Sequence, residues 1–247
     1  MDKELIETVK YLHMGCLLIH WDEYMALARK QHFSHVRLLQ HVLNEEVKFK
    51  RDNARRLRLK RARIPELLDL ATFPFDRQPK LDRKKITSIY DGFEYMTKAQ
   101  NVVWMGPTGC GKTGLATGFL INAISRGYTG RFVSFPSLIQ ELLAAVADHS
   151  EDKVLKRYIA CDCLLIDEIG YVEVEPVQVG LFFTLMQQRH RRRPTLITSN
   201  LGFGEWRTFL KNDHLTAALI DRLTENSHVV NMKNCISLRT KLTQQES

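Results

Sequence analysis

Residues 106–113 read Gly-Pro-Thr-Gly-Cys-Gly-Lys-Thr, which matches Gly-x-x-x-x-Gly-Lys-Thr at every position. They follow the apolar run Asn101-Val-Val-Trp-Met105, so the pattern predicts a strand, a Gly-rich loop and the start of a helix. In such a loop backbone N–H groups point at phosphate oxygens, the lysine reaches the β- and γ-phosphates, and the final hydroxyl can hold Mg²⁺. The sequence therefore predicts a nucleoside triphosphate site. The residues predicted to bind the nucleotide are Gly106, Pro107, Thr108, Gly109, Cys110, Gly111, Lys112, Thr113 and Gly114.

Two carboxylates follow a second apolar run, Cys163-Leu-Leu-Ile166, and are Asp167 and Glu168. If this strand neighbours the first one in a parallel sheet, Asp167 is expected beside the Mg²⁺ that Thr113 holds. Glu168, one residue further on, is then suited to activate the water that attacks the γ-phosphate. These residues predict the second half of a nucleotide site, with Thr113 and Asp167 as the metal ligands.

From residue 99 onward, short runs rich in strand-forming residues alternate with helical patterns. This alternation predicts an α/β fold with a central parallel sheet and helices on both faces. Ligands of open sheets bind beyond the carboxyl ends of the strands, so Asn200 at one such end is predicted to orient the attacking water or to contact the γ-phosphate. The predicted strands are 102–105, 130–134, 163–166, 195–198 and 228–232. The predicted helices are 112–126, 137–147, 176–190, 205–210 and 215–223.

The first 70 residues contain one Gly and one Pro and have the spacing of helices. Pro65 is predicted to end the last of these helices, since the residue before a proline leaves the helical region. We therefore expect a small all-helical domain over 1–70, a linker with a leading helix (81–96) over 71–98, and the α/β domain over 99–247. The apolar residues at helical steps of three and four are Leu5, Val9, Leu12, Val36, Leu39, Leu43 and Val47.

The formal net charge of +8 lies entirely in the stretch from Lys48 to Arg63. Nine cations stand there against one carboxylate, Asp52. Basic stripes of this kind bind the DNA backbone by counterion release, without reading sequence. A solvated basic helix, or one that contacts an acidic protein, is the alternative. The residues predicted to bind double-stranded DNA are Lys48, Lys50, Arg51, Arg55, Arg56, Arg58, Lys60, Arg61 and Arg63.

A second basic cluster, Arg189-His-Arg-Arg-Arg193, precedes the strand predicted over 195–198. The sequence leaves open whether it contacts DNA or a neighbouring subunit.

The amino-acid composition limits the classes of protein to which this chain can belong. With 44% hydrophobic and 26% charged residues in 247, the chain is typical of a globular protein with one sizeable domain and a smaller addition. Its longest apolar runs fall far short of the roughly 20 residues that a membrane span needs, and its first residues lack a signal-peptide pattern. We expect a cytoplasmic protein without a membrane partner. Five cysteines without a Cys-x-x-Cys pair favour free thiols over a zinc site or disulfides.

Together these motifs resemble the AAA+ ATPases. The runs 106–113 and 163–168 are similar to the two Walker motifs, Thr198-Ser199-Asn200 to the first sensor, and Ile220-Asp-Arg-Leu223 to the arginine-finger motif. More narrowly, the basic helical front end and three further runs resemble the IstB-type helper ATPases of insertion sequences, relatives of the DnaC helicase loaders. The three runs are Asp167-Glu-Ile-Gly-Tyr171, Ser199-Asn-Leu-Gly-Phe-Gly-Glu-Trp206 and Ala217-Ala-Leu-Ile-Asp-Arg-Leu223.

This resemblance implies an ATPase that uses ATP and Mg²⁺, assembles as a homo-oligomer on target DNA, and stimulates or directs a cognate transposase. ATP would lie at subunit interfaces, and hydrolysis would drive disassembly. Glu168, Asn200 and Arg222 would be catalytic, with Arg222 reaching into a neighbouring subunit's site. Relatives carry a second-sensor arginine in a Ser-Tyr-Arg-like segment near the end; this chain reads Asn234-Cys-Ile-Ser-Leu-Arg239, so Arg239 is a displaced candidate for nucleotide contact.

Two other functions fit parts of the sequence. A helicase loader that grips a replicative helicase would share the ATPase core but would not need so concentrated a basic stripe. A small-molecule kinase would share the phosphate loop, but Glu168 beside Asp167 suits water activation better than transfer to an alcohol.

Overall fold

The computed structural model describes residues 1–172 and 174–239, and these divide between Leu57 and Arg58 into two compact units. The division falls inside a helix, α3 (His35–Ala62), which ends before Pro65 as expected. This division into compact units does not test the domain boundaries predicted at residues 70 and 98, so these stay predictions.

Helices form the first unit. Helix α1 (Lys3–Tyr11) is capped by Asp2, and α2 (Gly15–Lys30) is kinked at His20. Their core, together with α3, is small and consists of Val9, Cys16, Leu17, Tyr24 and Val42. The apolar stripe of α3 does not join this core: Val36, Leu39, Leu43 and Val47 are 46 to 66% exposed.

The segment before the sheet is less regular than the sequence predicts. Two short 3₁₀ turns, Leu70–Thr72 and Phe75–Arg77, occupy the proline-containing linker. The single helix expected over 81–96 is wrong, because Phe93 adopts a left-handed conformation with a φ of 58°. The chain instead forms α4 (Arg83–Gly92) and α5 (Glu94–Thr97).

The described residues form a five-stranded sheet in which every pairing is parallel, in the order β2-β3-β4-β1-β5. The α/β class with a central parallel sheet is therefore confirmed. The sequence prediction missed one helix, α8. The strands are β1 (Asn101–Met105), β2 (Gly130–Ser134), β3 (Cys163–Ile169), β4 (Thr195–Ser199) and β5 (Ser227–Asn231). The helices are α6 (Lys112–Ser125), α7 (Phe135–Ala147), α8 (Glu151–Ala160), α9 (Pro176–Arg189), α10 (Phe203–Leu210) and α11 (Asp213–Thr224).

Both faces of the sheet are buried, which explains the nearly continuous apolar character of its strands. Alternate residues of β1 enter different cores: Trp104 packs in the cluster that contains Phe119 of α6, and Val103 in the cluster that contains Phe135 and Phe182. Burying one aliphatic or aromatic side chain of this size contributes about 1.5–3 kcal/mol. The sheet is thus a rigid platform for the loops at its carboxyl end.

Two expectations about β3 are wrong. It does not neighbour β1, because β4 lies between them. Nor does it end at Ile166: it continues to Ile169 through a β-bulge, where the pairing with β4 shifts by one residue. Helix α6 packs across both β3 and β4, so the start of this helix still lies above the end of β3.

The second basic cluster is partly internal. The guanidinium of Arg189 is buried, and donates hydrogen bonds to the carbonyls of Tyr158, Cys161 and Pro194. These bonds tie the ends of α8 and α9 to the starts of β3 and β4. Arg189 is therefore a structural residue and offers no surface to DNA. In the described residues no helix is long and apolar enough to cross a membrane.

Candidate nucleotide-binding site

The loop over residues 106–111 joins β1 directly to α6. Gly109 and Gly111 have φ values of 82° and 96°, a region that residues with a Cβ rarely adopt. A Cβ at Gly109 would also lie 2.5 Å from the Ser237 hydroxyl oxygen. The N-terminal turn of α6, which begins at Lys112, has free N–H groups and a positive dipole end, and both favour an anion.

Lys112 curls back over this loop. Its Nζ donates to the carbonyl oxygens of Gly106 at 2.7 Å and Pro107 at 2.8 Å. Burial lowers the pKa of Lys112, while the carboxylates of Asp167 and Glu168 act in the opposite direction. Phosphate oxygens would replace the two carbonyls as stronger, charged acceptors for the ammonium group.

A network of three side chains links the loop to β3 and β4. The hydroxyl of Thr113 donates to Asp167 Oδ1 at 3.0 Å, and the hydroxyl of Thr198 donates to the same oxygen at 2.5 Å. Asp167 is 5% exposed; burial raises its pKa, and the hydrogen bonds from Thr198 and Thr113 oppose that rise. The predicted pair of metal ligands is therefore in direct contact. A hydroxyl and a carboxylate are oxygen ligands of the kind that Mg²⁺ prefers, so the residues present fit this ion.

The bulge of β3 separates the two carboxylates. Glu168 has a φ of 65°, a strained value for this residue type, and its side chain is exposed whereas that of Asp167 is buried. Its backbone N–H donates to Thr198 Oγ1 at 2.9 Å. Thr198 thus holds both residues of the bulge, one through its donor and one through its acceptor.

Lys112, Thr113, Glu168 and Thr198 line a cavity of about 150 Å³ above the loop, called the phosphate cavity below, whereas the buried Asp167 is not among its lining residues. The cavity brings together residues from the phosphate loop, β3, β4 and the C-terminal segment, and includes the predicted Glu168, Asn200 and Arg239. Tyr171 and Thr198 also line it; the sequence analysis placed both within family-like runs but not among the predicted site residues. Tyr171 Oη lies 2.5 Å from Thr108 Oγ1. The lining residues are Thr108, Gly109, Gly111, Lys112, Thr113, Glu168, Tyr171, Thr198, Asn200 and Arg239.

Asn200 lies at the carboxyl end of β4, and its side chain also borders a neighbouring cavity of about 430 Å³. Its Oδ1 is buried and has no hydrogen-bond partner among the described residues. An orphaned amide oxygen beside a phosphate site needs a water or ligand donor to be satisfied.

A third cavity, of about 210 Å³, lies against Gly111. Apolar side chains dominate its wall, among them Leu68, Phe73 and Leu238. A Cβ at Gly111 would come within 2.6 Å of the Phe73 ring, so only glycine lets this wall approach the loop so closely. A chamber of this kind suits a flat aromatic group such as a purine base. Sequence reasoning missed it because Leu68 and Phe73 lie far from the loop along the chain.

Arg222, on α11, is not among the residues that line the phosphate cavity in the described part of the chain. Its Nη1 donates to the carbonyl of Ala218 at 2.9 Å, and its guanidinium lies 4.9 Å from the centre of the Phe183 ring. It is half-buried. The fold therefore does not bring Arg222 to its own chain's nucleotide cavity.

The nine cations of the predicted DNA-binding stretch lie on the C-terminal half of α3 and just beyond it. All are exposed except Arg58, which is half-buried. Of the interspersed apolar residues, Leu59 and Ala62 pack into the core of the second unit and Phe49 into that of the first. Leu57 remains 46% exposed, so not every apolar residue here rests on protein.

The family profile and the known proteins that match this chain agree with one another. The sequence profile described as IstB-like ATP binding protein matches residues 7–246. The IS21 ATP-binding protein of Pseudomonas aeruginosa is 30% identical over 93% of this chain and 86% of its own length. The IS5376 ATP-binding protein of Geobacillus stearothermophilus is 28% identical over 100% of this chain and 98% of its own length. The crystal structure of the DnaC helicase loader superposes with a TM-score of 0.52 at 20% identity, over 61% of this chain and 87% of that one, which confirms a P-loop AAA+ fold.

Proposed function

This chain belongs to the family of IstB-like ATP-binding proteins, and from this premise we propose that it is the ATP-dependent, DNA-binding helper of a transposase. Its relatives are ATP-binding proteins of insertion sequences. The chain is an ATP-binding AAA+ protein and an ATPase. The proposal adds to this a bound metal ion, binding to DNA, assembly into an oligomer and action on a transposase.

One observation carries the chemical part of the proposal: Thr113 and Thr198 converge on a single buried carboxylate, Asp167, at the edge of the phosphate cavity. Thr113 and Asp167 would hold Mg²⁺, which neutralises charge on the β- and γ-phosphates. Lys112 would leave the Gly106 and Pro107 carbonyls for phosphate oxygens. The adenine base would occupy the apolar chamber beside Gly111.

Glu168 would act as the general base. Its exposed carboxylate faces the cavity, whereas the neighbouring Asp167 is buried and held by two hydroxyl groups. The bulge therefore supports different roles for the two carboxylates: Asp167 would bind the metal ion, and Glu168 would activate the attacking water. Asn200 would use its orphaned amide oxygen to orient that water, and Arg239 would contact the phosphates.

Arg222 would complete the site of a neighbouring subunit. A half-buried arginine that is absent from its own cavity can serve a phosphate only in trans, and such a finger neutralises charge that develops on the γ-phosphate. The proposal therefore requires a homo-oligomer with ATP at the subunit interfaces. ATP would favour assembly, and hydrolysis would release it.

The exposed cations of the stretch 48–63 would contact the phosphates of double-stranded DNA, largely without regard to sequence. Assembly on target DNA would present the oligomer to the cognate transposase and stimulate or direct it. We place this activity in the cytoplasm, where DNA and ATP are both present.

A DnaC-like helicase loader is the alternative, since the same fold serves that role. A strand-transfer assay separates the two. Purified protein with ATP should increase target insertion by the transposase of a matching insertion sequence, and should leave loading of a replicative helicase unchanged. No effect on insertion, together with helicase loading, would overturn the proposal in favour of the alternative.

A further inference from the structure

Gln78 is a buried polar side chain that belongs to no predicted motif. It is 1% exposed and follows the second 3₁₀ turn of the linker. Its Nε2 donates to the carbonyl of Cys110, inside the phosphate loop, at 3.2 Å and to the carbonyl of Ile236 at 2.6 Å. Its Oε1 accepts the N–H of Ile236 at 3.0 Å. One carboxamide therefore joins three segments that are distant in sequence.

The C-terminal segment over residues 232–239 runs beside the phosphate loop. The N–H of Met232 donates to the Met105 carbonyl at 2.7 Å, and the N–H of Leu238 donates to the Gly109 carbonyl at 2.8 Å. Between these two contacts, the bonds from Gln78 fix Ile236 by both its N–H and its carbonyl. The segment ends in Arg239, which lines the phosphate cavity.

The side chain of Ile236 is 58% exposed, although Met232 and Cys235 of the same segment are buried in the core, so packing of its own side chain does little to hold Ile236. Its backbone is held by hydrogen bonds to Gln78. The bond from Gln78 to Cys110 is buried and the two bonds to Ile236 are partly buried, so leaving them unmade is costly. Only a carboxamide supplies two N–H donors and one acceptor in this arrangement. A carboxylate would face two carbonyl oxygens without a proton, and an apolar side chain would leave all three backbone groups without this partner.

We propose that Gln78 is a positioning residue that couples the C-terminal segment to the phosphate loop and so holds Arg239 against the bound nucleotide. The inference rests on the proposed function, because it needs ATP in this cavity. Gln78 is not among the described residues that line the phosphate cavity, so it would act through Arg239, which is.

A double-mutant cycle tests this coupling. The affinity for a fluorescent ATP analogue is measured for the wild type, Gln78→Met, Arg239→Ala and the double variant, with the midpoint of thermal unfolding recorded for each. Gln78→Met and Arg239→Ala should each weaken binding by about tenfold. The double variant should bind no more weakly than Arg239→Ala alone, because residues that act as a unit are not additive. A lower unfolding midpoint is expected in either case, but a merely structural Gln78 would give additive losses of affinity.

Additive losses, or unchanged affinity in Gln78→Met, would overturn the role of Gln78. If Gln78→Met lacks a cooperative unfolding transition, Gln78→Asn passes through the same cycle, since it keeps a carboxamide that is too short to reach all three partners. Amide exchange in the wild type gives a second reading: the ATP analogue should slow exchange over residues 232–239, and unchanged exchange would also overturn the coupling. Lys112→Ala is the reference for the site itself. Normal affinity of Lys112→Ala for the analogue would overturn the proposed function. Additive losses in the Gln78 cycle, together with weakened binding by Lys112→Ala, would overturn only the role of Gln78.

Discussion

The phosphate cavity and the basic stretch 48–63 present their polar side chains in opposite ways. Around the cavity, Lys112, Thr113, Asp167 and Thr198 are already bonded to one another or to the loop backbone. In the basic stretch 48–63, eight of the nine cations are exposed, and so is Leu57 among them. The first region is preorganised for a small ligand of fixed shape. The second is an exposed charged surface without a defined pocket, which is the kind of surface that suits a long polyanion.

This contrast predicts that changes at the cavity alter one chemical step sharply, whereas changes in the basic stretch alter the affinity for DNA gradually and in a salt-dependent way.

Arg222 belongs to neither region within one chain, and its replacement has the largest expected effect. Arg222→Ala should lower ATP hydrolysis by about a thousandfold, because the finger stabilises charge in the transition state. Exposed Arg207 on α10 provides the control, and Arg207→Ala should hydrolyse ATP normally.

Mixing two inactive proteins shows whether the finger acts in trans. Glu168→Gln should bind ATP without turning it over, and Arg222→Ala retains an intact base. In mixed oligomers, an Arg222→Ala subunit can receive its finger from a Glu168→Gln neighbour, so the mixture should recover part of the steady-state ATPase rate. A mixture no more active than its components would place the finger in cis or remove it.

The next effect in size concerns the loop itself. Lys112→Ala should weaken ATP binding by about a hundredfold, since the ammonium group is the charged partner of the β- and γ-phosphates in a half-buried site. Isothermal titration with a non-hydrolysable analogue measures it. Binding of DNA by this variant in the absence of nucleotide should be unchanged, and a parallel loss of both activities would show that the two regions are not separate.

In the basic stretch 48–63, the expected change is in the slope of log affinity for duplex DNA against log salt concentration. Replacing Arg55, Arg56, Arg58 and Lys60 by Gln should reduce the dependence of log affinity for duplex DNA on log salt by roughly 0.9 for each phosphate that the variant no longer neutralises. ATP affinity should remain that of the wild type. An unaltered slope would move the DNA surface elsewhere. A matched control neutralises four exposed lysines of the second unit, namely Lys80, Lys84, Lys153 and Lys156.

The smallest effect belongs to Thr198. Thr198→Val keeps the shape but loses the hydroxyl that bonds Asp167 and the Glu168 backbone, so kcat should fall by about tenfold with ATP affinity preserved. Thr198→Ser retains the hydroxyl and should remain close to wild type. A normal kcat in Thr198→Val together with a loss in Thr198→Ser would show that the methyl group, rather than the hydrogen bonds, matters.

Local sequence signals predicted the parts of this protein that depend on neighbouring residues. The loop at 106–113, the strand that precedes it and the alternation of strands and helices all follow from local patterns. What depends on long-range packing was missed: β4 lies between β1 and β3, the bulge at Glu168 lengthens β3, and Phe93 breaks a helix. The roles predicted for Asn200, Arg222 and Arg239 stay predictions.

Two further features had no local signal. Gln78 contacts residues far along the chain, and a lone glutamine before a proline predicts nothing by itself. The stripe from Val36 to Val47 has the spacing of a core face, yet it is exposed. Periodicity identifies which residues share a helix face, but not which face finds a partner within the chain.

The central claim is that the cavity becomes a complete site only when a second subunit on DNA supplies Arg222. Electron microscopy of the wild type with duplex DNA and a non-hydrolysable ATP analogue tests it most directly. We expect an oligomer on DNA that forms only with the analogue, with Arg222 of one subunit beside the phosphate cavity of the next. A monomer on DNA, or an assembly in which Arg222 lies away from every nucleotide, would contradict the claim.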